Sequence, residues 1–361
     1  MKTKIIMIPM PMNINSLWNM GSILGFLLIT QIISGLILSM NFCPNISLAF
    51  QSTILLNSNT YMGWLIRNIH INGASMFFMM MFIHIGRGLY FHSYNLKMTW
   101  MIGISILLLS MMTAFVGYIL PWGQMSFWGA TVITNLLSVI PYIGQSIVEW
   151  IWGGFSINNA TLNRFFSIHF LLPIIIIPFS LMHIISLHSN GSSNPLGLKS
   201  LFTMIPFHPY FTAKDLLGIL LITLLLIIFS TQYPDYLVDP DNYSIANPLV
   251  TPTHIKPEWY FLFAYAILRS VPSKLGGVMC LIMSILVLII PMFFKKPLMK
   301  SIKFYPMASL LFWMFSNTFI MLTWLGSKPL DPPYIMLSQV FSVFYFLYFI
   351  MLMWPMKVMD K

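Results

Sequence analysis

Long apolar runs alternate with short polar, proline-rich or glycine-rich segments along the whole sequence. Eight runs are long enough for a helix of about 20 residues to cross a bilayer. They lie near 17–40, 63–91, 100–120, 159–187, 212–232, 275–294, 306–326 and 335–356. The runs lack the apolar–polar alternation that a transmembrane β-strand requires. The pattern therefore predicts an all-α membrane protein with eight transmembrane helices.

Two connections between these runs differ from the others. The segment at about 123–154 is rich in tryptophan and glycine, which predicts helices lying in the membrane interface. The longest connection, at about 232–274, is rich in proline and acidic residues, and loops of that length are usually functional or disordered. We divide the chain into an N-terminal region, residues 1–200, with the first four spans and a C-terminal region, residues 201–361, with the last four.

Composition and charge exclude other classes of protein. Hydrophobic residues make up 58% of the chain and charged residues only 7%, whereas a soluble domain has about 25% charged residues. If the connections alternate between the two sides, the whole formal net charge of +10 falls on the side of the termini, which the positive-inside rule places inside. This charge reports topology; it does not form the clustered basic face of a nucleic-acid-binding protein.

Histidines lie at matched depths in the second and fourth spans. His70 and His84 are 14 residues apart, as are His169 and His183, and this interval is a rise of ~21 Å along one helix face. Because these spans run parallel, His70 lies level with His169 (the outer pair) and His84 with His183 (the inner pair). A lone buried histidine is usually a core residue, and histidines also relay protons. Two facing pairs instead predict axial nitrogens on either side of two porphyrins.

Glycines repeat the same interval in the first and third spans. Gly21 and Gly35 are 14 residues apart, as are Gly103 and Gly117. Since these spans run opposite to the histidine helices, Gly35 and Gly117 are predicted at the outer pair and the other two at the inner pair. Small residues also serve close helix packing, but a flat macrocycle needs neighbouring backbone without side chains.

Charged and sulfur-containing residues refine this interpretation. Arg67 and Arg87 each lie three residues from an intramembrane histidine, toward the nearer membrane surface. Each could extend to lipid headgroups, but we expect both to bind heme propionates. Cys43 and Cys280 stand alone and far apart, so an iron–sulfur cluster or a covalent heme must belong to another chain.

Several motifs carry a resemblance to a known family. They are the spaced histidines and glycines, Gly-Tyr-x-Leu-Pro-Trp-Gly at 117–123, Phe-Trp-Gly-Ala-Thr-Val-Ile-Thr-Asn-Leu at 127–136 and Pro-Glu-Trp-Tyr at 257–260. Over nearly the whole chain, the sequence resembles the mitochondrial cytochrome b family, the di-heme quinol-oxidising subunits of respiratory complex III.

The resemblance implies a fold, cofactors and partners. The first four spans should form a di-heme four-helix bundle, with a low-potential heme b at the outer pair and a high-potential heme b at the inner pair. The chain should be a catalytic subunit of ubiquinol–cytochrome c reductase that oxidises ubiquinol, reduces an inner quinone and translocates protons in a Q cycle. Its expected partners are the Rieske iron–sulfur protein, cytochrome c1, other complex III subunits and membrane lipid, in a dimeric complex. The expected location is the mitochondrial inner membrane, with both termini on the matrix side.

An outer quinol-oxidising site is expected in the long loop. Glu258 stands among aromatic residues, where desolvation should raise its pKa and make it a proton acceptor. It could instead simply begin a helix after Pro257. The resemblance favours the quinol site, whose further residues would be Tyr260, Phe261, Tyr265 and Gly129.

An inner quinone-reducing site is expected on the basic side. His188 follows the fourth span and Asp215 opens the fifth. An interfacial histidine and an acid near a helix N-terminus would also explain them, but the resemblance implies a pocket that includes Ser22. The sequence departs from the family pattern at Ser189, where an acid is common, and in a shorter N-terminal arm.

His92, His208 and His254 have no predicted role, since loop or interfacial positions explain them.

Two other functions fit the spans alone. A transporter or proton pump would be expected to carry lysine and glutamate at mid-membrane, which these spans lack. A heme-free structural subunit would show no heme absorption. A reduced-minus-oxidised visible spectrum separates both from a cytochrome.

Overall fold

Helices make up most of the computed structural model, which describes residues 8–198 and 200–360. In chain order they are α1 (Met20–Ser39), α2 (Ala49–Asn59), α3 (Gly63–Tyr90), α4 (Lys97–Ile119), α5 (Gln124–Asn135), α6 (Gly144–Trp152), α7 (Asn159–Asn190), α8 (Tyr210–Gln232), α9 (Leu262–Ser270), α10 (Lys274–Leu286), α11 (Pro306–Gly326), α12 (Tyr334–Met351) and α13 (Met353–Met359). Short 3-10 helices lie at Ser16–Trp18, Ser93–Asn95, Leu136–Val139, Leu201–Thr203, Pro240–Tyr243, Trp259–Phe261, Val287–Phe293 and Ile302–Phe304. Strands β1 (Pro9–Pro11) and β2 (Met204–Pro206) pair antiparallel.

The predicted spans and fold class are confirmed. Within the described residues, eight helices are long and apolar enough to cross a membrane: α1, α3, α4, α7, α8, α10 with its 3-10 continuation, α11, and α12 with α13. Helices α5 and α6 occupy the segment predicted for interfacial helices. The sequence pattern did not predict α2, whose polar residues dilute its apolar signal, nor α9 and the small sheet.

The first four spans pack as two helix pairs, with α1 along α3 and α4 along α7. The start of α7 is fixed by a capping box, in which Asn158 accepts the Thr161 N–H and the Thr161 hydroxyl accepts the Asn158 N–H. The same hydroxyl donates to the Trp152 carbonyl at 2.7 Å. This contact ties the start of α7 to the end of α6, so the cap sets the height of α7 in the bundle.

The long loop is held against the bundle by polar side chains. Asn242 accepts the Ser126 N–H at 2.9 Å, at the start of α5. The Gln124 side chain donates to the Val250 carbonyl at 3.0 Å and accepts the Asn247 N–H at 2.8 Å. These bonds satisfy backbone groups that a loop would otherwise leave unpaired. They also bring the segment around Glu258 up to the outer face of the bundle.

Candidate functional site

The four intramembrane histidines meet in two pairs. The ring centroids of His70 and His169 lie 6.2 Å apart, and those of His84 and His183 also lie 6.2 Å apart. Such a separation leaves room between facing nitrogens for one metal ion at bonds of roughly 2 Å, as in other metal–imidazole sites. The structure therefore brings together the residues that the sequence paired.

The outer pair is held by hydrogen bonds at Nδ1. His169 Nδ1 lies 2.8 Å from the Thr113 carbonyl oxygen, which can only accept. The Ser34 hydroxyl, which donates to the Thr30 carbonyl at 2.7 Å, lies 2.9 Å from His70 Nδ1. Both rings then carry their proton on Nδ1, and Nε2 keeps a lone pair for a metal. The sequence pattern did not single out Ser34 or Thr113.

The four glycines face the four imidazoles at the predicted depths. A Cβ added to Gly117 would lie 2.3 Å from His169 Cε1, and one on Gly35 would lie 3.0 Å from His70 Cε1. The corresponding distances are 3.1 Å from Gly103 to His183 and 3.9 Å from Gly21 to His84. The glycines thus make room for the imidazole rings themselves, which refines the expectation that they make room for a macrocycle.

A cavity of about 420 Å³ surrounds the outer pair. Gly35, Gly117 and Arg67 line it, together with apolar side chains from α1, α3, α4 and α7. The Arg67 guanidinium lies over the Tyr243 ring, 5.9 Å from its centroid. An apolar space with a cation among its lining residues fits a heme, whose carboxylates need a cationic partner.

The inner pair also has an arginine, on its basic side. Arg87 lies 5.4 Å from the Trp18 ring centroid, and its Nη1 donates to the Ser93 hydroxyl at 3.4 Å. Its Nε, like Nδ1 of His84 and His183, has no partner among the described residues. The free Nε of Arg87 fits an acidic ligand such as a propionate. The contact between Trp18 and Arg87 was not predicted from the spacing of residues in the sequence.

The outer loop residues form a small pocket against α5. Glu258, Phe261, Tyr265 and Gly129 line it, and its volume is about 20 Å³, enough for about one water. An added Cβ on Gly129 would meet nothing within 4 Å, so this glycine borders open space. The Tyr265 hydroxyl donates to the Ile255 carbonyl at 3.0 Å, which fixes the backbone just before Glu258.

Tyr260 points away from that pocket. Its ring stacks on Phe78 with centroids 4.2 Å apart, and it lines the larger cavity. Two other residues, Glu258 and Tyr118, line both cavities. Tyr118 lies within the Gly-Tyr-x-Leu-Pro-Trp-Gly motif, but nothing in its spacing marked it as a neighbour of Glu258.

Burial dominates the electrostatics of Glu258. Desolvation raises the pKa of its carboxyl group to about 7, and the charge of Asp239 adds to the rise. The Tyr118 hydroxyl and Lys256, which forms an ion pair with Asp239 at 3.2 Å, oppose it. Burial therefore favours the neutral form and brings the pKa of this carboxyl group near neutral pH.

The inner-site residues are only partly brought together. Ser22 and Asp215 lie side by side, within reach of a hydrogen bond. Near them, Asn19 Nδ2 donates to the Lys214 carbonyl at 2.8 Å, which joins α1 to α8. His188 is exposed in the last turn of α7, and no hydrogen bond or ion pair among the described residues links it to Ser22 or Asp215.

This geometry defines a class of protein: a multi-spanning membrane protein whose first four spans bring two pairs of intramembrane histidines face to face. The family Cytochrome b/b6/petB matches residues 5–191, and the family Cytochrome b(C-terminal)/b6/petD matches residues 245–346. The chain belongs to the cytochrome b family. A curated cytochrome b from Apis mellifera ligustica is 56% identical over 356 residues, which are 99% of this chain and 93% of that protein.

A solved structure supports the same assignment. A hyperthermophilic respiratory complex III contains a chain that matches with a TM-score of 0.93 and 30% identity, over 99% of this chain and 95% of that one. The prediction of a complex III cytochrome b that takes part in electron transport is confirmed. Family membership implies binding of heme b, whereas ligation by the two histidine pairs stays a prediction.

Replacing Gly117 with alanine should disturb the outer cofactor site. The new Cβ would overlap the His169 ring, which its bond to Thr113 holds in place, and overpacking of this kind costs about 1–3 kcal/mol. A reduced-minus-oxidised spectrum should show a weakened or shifted band from the outer heme. Gly21→Ala is the matched control, because its Cβ has 3.9 Å of space. Equal spectra for the two variants would contradict this packing argument.

Proposed function

We propose that the chain is the quinol-oxidising subunit of a mitochondrial inner-membrane complex III, with both termini on the matrix side and a Rieske protein and cytochrome c1 as partners. The observation that carries the proposal is the pair of facing imidazole sites, each lined by glycines from two neighbouring helices. In this proposal His70 with His169 and His84 with His183 would each hold one non-covalent heme b, with one imidazole from α3 and one from α7. When bound, heme b supplies one-electron redox chemistry at two depths of the membrane.

The chain's own residues hold and orient these groups. The carbonyl oxygen of Thr113 and the hydroxyl of Ser34 set the tautomers of the outer pair, so that Nε2 is the ligating nitrogen. Arg67 and Arg87 would neutralise the carboxylates of a bound heme b. Glycine at four positions lets the helix backbones close around the rings.

The outer pocket removes protons from quinol. Quinol oxidation releases two electrons and two protons, and Glu258 accepts one proton because its carboxyl group is partly ionised near neutral pH. Since Glu258 lines both cavities, its carboxyl group can turn from the quinol pocket toward the space beside Arg67. The pocket holds about one water, so a quinol ring enters only when Phe261 and Tyr265 move aside. Tyr260 supports the site through its stack on Phe78.

The inner pocket supplies protons to quinone on the basic side. Ser22 and Asp215 would bind the quinone oxygen from α1 and α8, and His188, exposed at the end of α7, would have to turn toward them to take part. The N-terminal region (residues 1–200) is then the di-heme region and the C-terminal region (residues 201–361) carries the quinol loop, and the two share the outer pocket. Dimerisation of the complex belongs to the same proposal.

The ligation proposal is tested by His84→Leu. This variant should lose the inner heme and keep at most one heme b per chain, because one axial nitrogen is gone. This prediction is tested by the heme content per chain, measured from reduced-minus-oxidised spectra of the purified complex. His188→Gln, at an exposed histidine of α7, should keep both hemes. Two full hemes in His84→Leu would refute bis-histidine ligation at the inner pair.

The role of Glu258 is tested by Glu258→Gln. General-base catalysis contributes about 10²–10⁴-fold, so quinol oxidation should fall at least about tenfold above pH 7, with both hemes retained. Wild-type activity should rise with pH through about 7 as the carboxyl group ionises, and the variant should lack this rise. Below pH 7 the two rates should converge.

Glu149→Gln provides the control for that variant. Glu149 lies on the interfacial helix α6 and accepts a hydrogen bond from Gln145 at 2.8 Å, outside the pocket. Its replacement should leave the pH profile unchanged. If Glu258→Gln also retains full turnover and the wild-type profile, Glu258 only begins a helix.

The inner site is tested by Asp215→Asn. Loss of the carboxylate should slow reoxidation of the heme at the inner pair by at least about tenfold, while quinol oxidation begins normally. Stopped-flow spectroscopy of the assembled complex measures both steps. Asp331→Asn, on the outer side, is the charge-matched control. Normal reoxidation in Asp215→Asn would place the proton donor elsewhere.

A further inference from the structure

Arg269 lies one helical turn after Tyr265 on α9, so the two side chains share one face of that helix. The guanidinium carbon of Arg269 lies 4.6 Å from the centroid of the Tyr265 ring, and both side chains are partly buried. A cation at this distance over an aromatic face is attracted to the ring, more strongly where water is excluded. One side chain that lines the outer pocket is therefore in contact with a cation.

The guanidinium is anchored on a second helix. Its Nη2 donates to the backbone carbonyls of Leu325, Gly326 and Lys328 at 3.0–3.1 Å. These carbonyls lie at the C-terminal end of α11, where backbone acceptors have no partner within the helix and the helix dipole favours a cation. Among the described residues, Arg269 forms no ion pair with a carboxylate. Its charge is therefore stabilised by backbone carbonyls and by the Tyr265 ring.

The backbone that carries these two side chains is held at both ends of α9. At the beginning of α9, a Cβ added to Gly326 would lie 2.3 Å from the Leu262 carbonyl oxygen, so the end of α11 touches α9 directly. At the other end, Gln339 Nε2 on α12 donates to the Ser270 carbonyl at 3.2 Å. Helices α11 and α12 thus fix α9, and the guanidinium adds a side-chain link between α9 and α11.

Tyr265 extends this restraint to the loop that carries Glu258. Its hydroxyl donates to the Ile255 carbonyl at 3.0 Å, three residues before Glu258, and Tyr265 and Glu258 both line the outer pocket. A Tyr265 ring that turned freely would break the bond to Ile255 and change the shape of the pocket. Misplacement of a substrate-positioning group by about 1 Å can slow a reaction about 10²-fold.

We propose that Arg269 is a positioning residue for quinol oxidation, an inference that rests on the function proposed above. Its guanidinium holds the Tyr265 ring in one place relative to Glu258 and so preserves the bond to the Ile255 carbonyl. When quinol enters and Tyr265 moves aside, the same contact returns the ring to this place. Arg269 does not act on the reacting atoms, because it is not among the residues that line the pocket.

The alternative is that Arg269 only caps the end of α11, and two variants test the proposal against it. Arg269→Gln keeps an N–H donor for the α11 carbonyls but has no charge to attract the ring. Arg269→Met keeps an apolar stem and loses both interactions. In the assembled complex each variant should retain heme b and lower kcat/KM for quinol at least about fivefold, a factor typical of coupling between side chains in contact.

The effect of both variants should depend on the Tyr265 ring. Tyr265→Leu should itself lower kcat/KM, because it alters the pocket. In that background either Arg269 variant should lower kcat/KM further by less than about twofold, since the ring that Arg269 holds is absent. A capping role predicts the same factor in both backgrounds. Steady-state quinol oxidation by the purified complex measures every rate in this cycle, and either Arg269 variant alone completes it if the other fails to assemble.

Arg164→Met is the matched control. Arg164 is exposed and donates to the carbonyls of Trp150 and Ile151 at the end of α6, so it also binds helix-end carbonyls, but it does not line the outer pocket. Its replacement should change kcat/KM by less than about twofold, as for other surface substitutions. Equal factors in both Tyr265 backgrounds, or unchanged kcat/KM in the Arg269 variants, would overturn the positioning role. Absence of heme b or of quinol oxidation in the unmodified complex would overturn the proposed function instead.

Discussion

Contact between imidazole rings and bare helix backbone sets the geometry of the bundle. Glycine at four positions lets α1 and α4 approach the histidines of α3 and α7, and at Gly117 even one methyl group would overlap the His169 ring. Because the glycine and histidine intervals are equal, the same fit recurs at two depths. The distance between the two sites follows from the same 14-residue interval.

The loop between α8 and α10 depends on that bundle for its shape. Asn242 and Gln124 join it to α5, and at its far end the Arg269 guanidinium donates to the carbonyls of Leu325, Gly326 and Lys328 at 3.0–3.1 Å. These bonds hold the loop in place, and with it the buried carboxyl group of Glu258. Residues from both halves of the chain therefore line the outer pocket.

The sequence predicted features that follow from helical geometry within one span. The eight spans, the pairing of His70 with His169, and the depths of the glycines all depend on rise per residue, and the structure agrees with each. The direction of Tyr260, the place of Tyr118 and the burial of His92 depend on contacts between distant segments, which residue spacing does not contain. Helix α2 was missed for another reason: its asparagine, serine and glutamine residues weaken the periodic apolar signal that predicted the longer helices.

The small sheet has a consequence for biosynthesis. Strand β1 pairs with β2 through Pro9↔Pro206, Met10↔Ile205 and Pro11↔Met204, so the first described residues find their partner only after four spans have left the ribosome. At synthesis rates of about 5–20 residues per second, the delay is on the order of 10–40 s. During that interval the beginning of the chain must stay unpaired at the membrane surface. Pairing of β1 with β2 is therefore possible only after the first four spans have been synthesised.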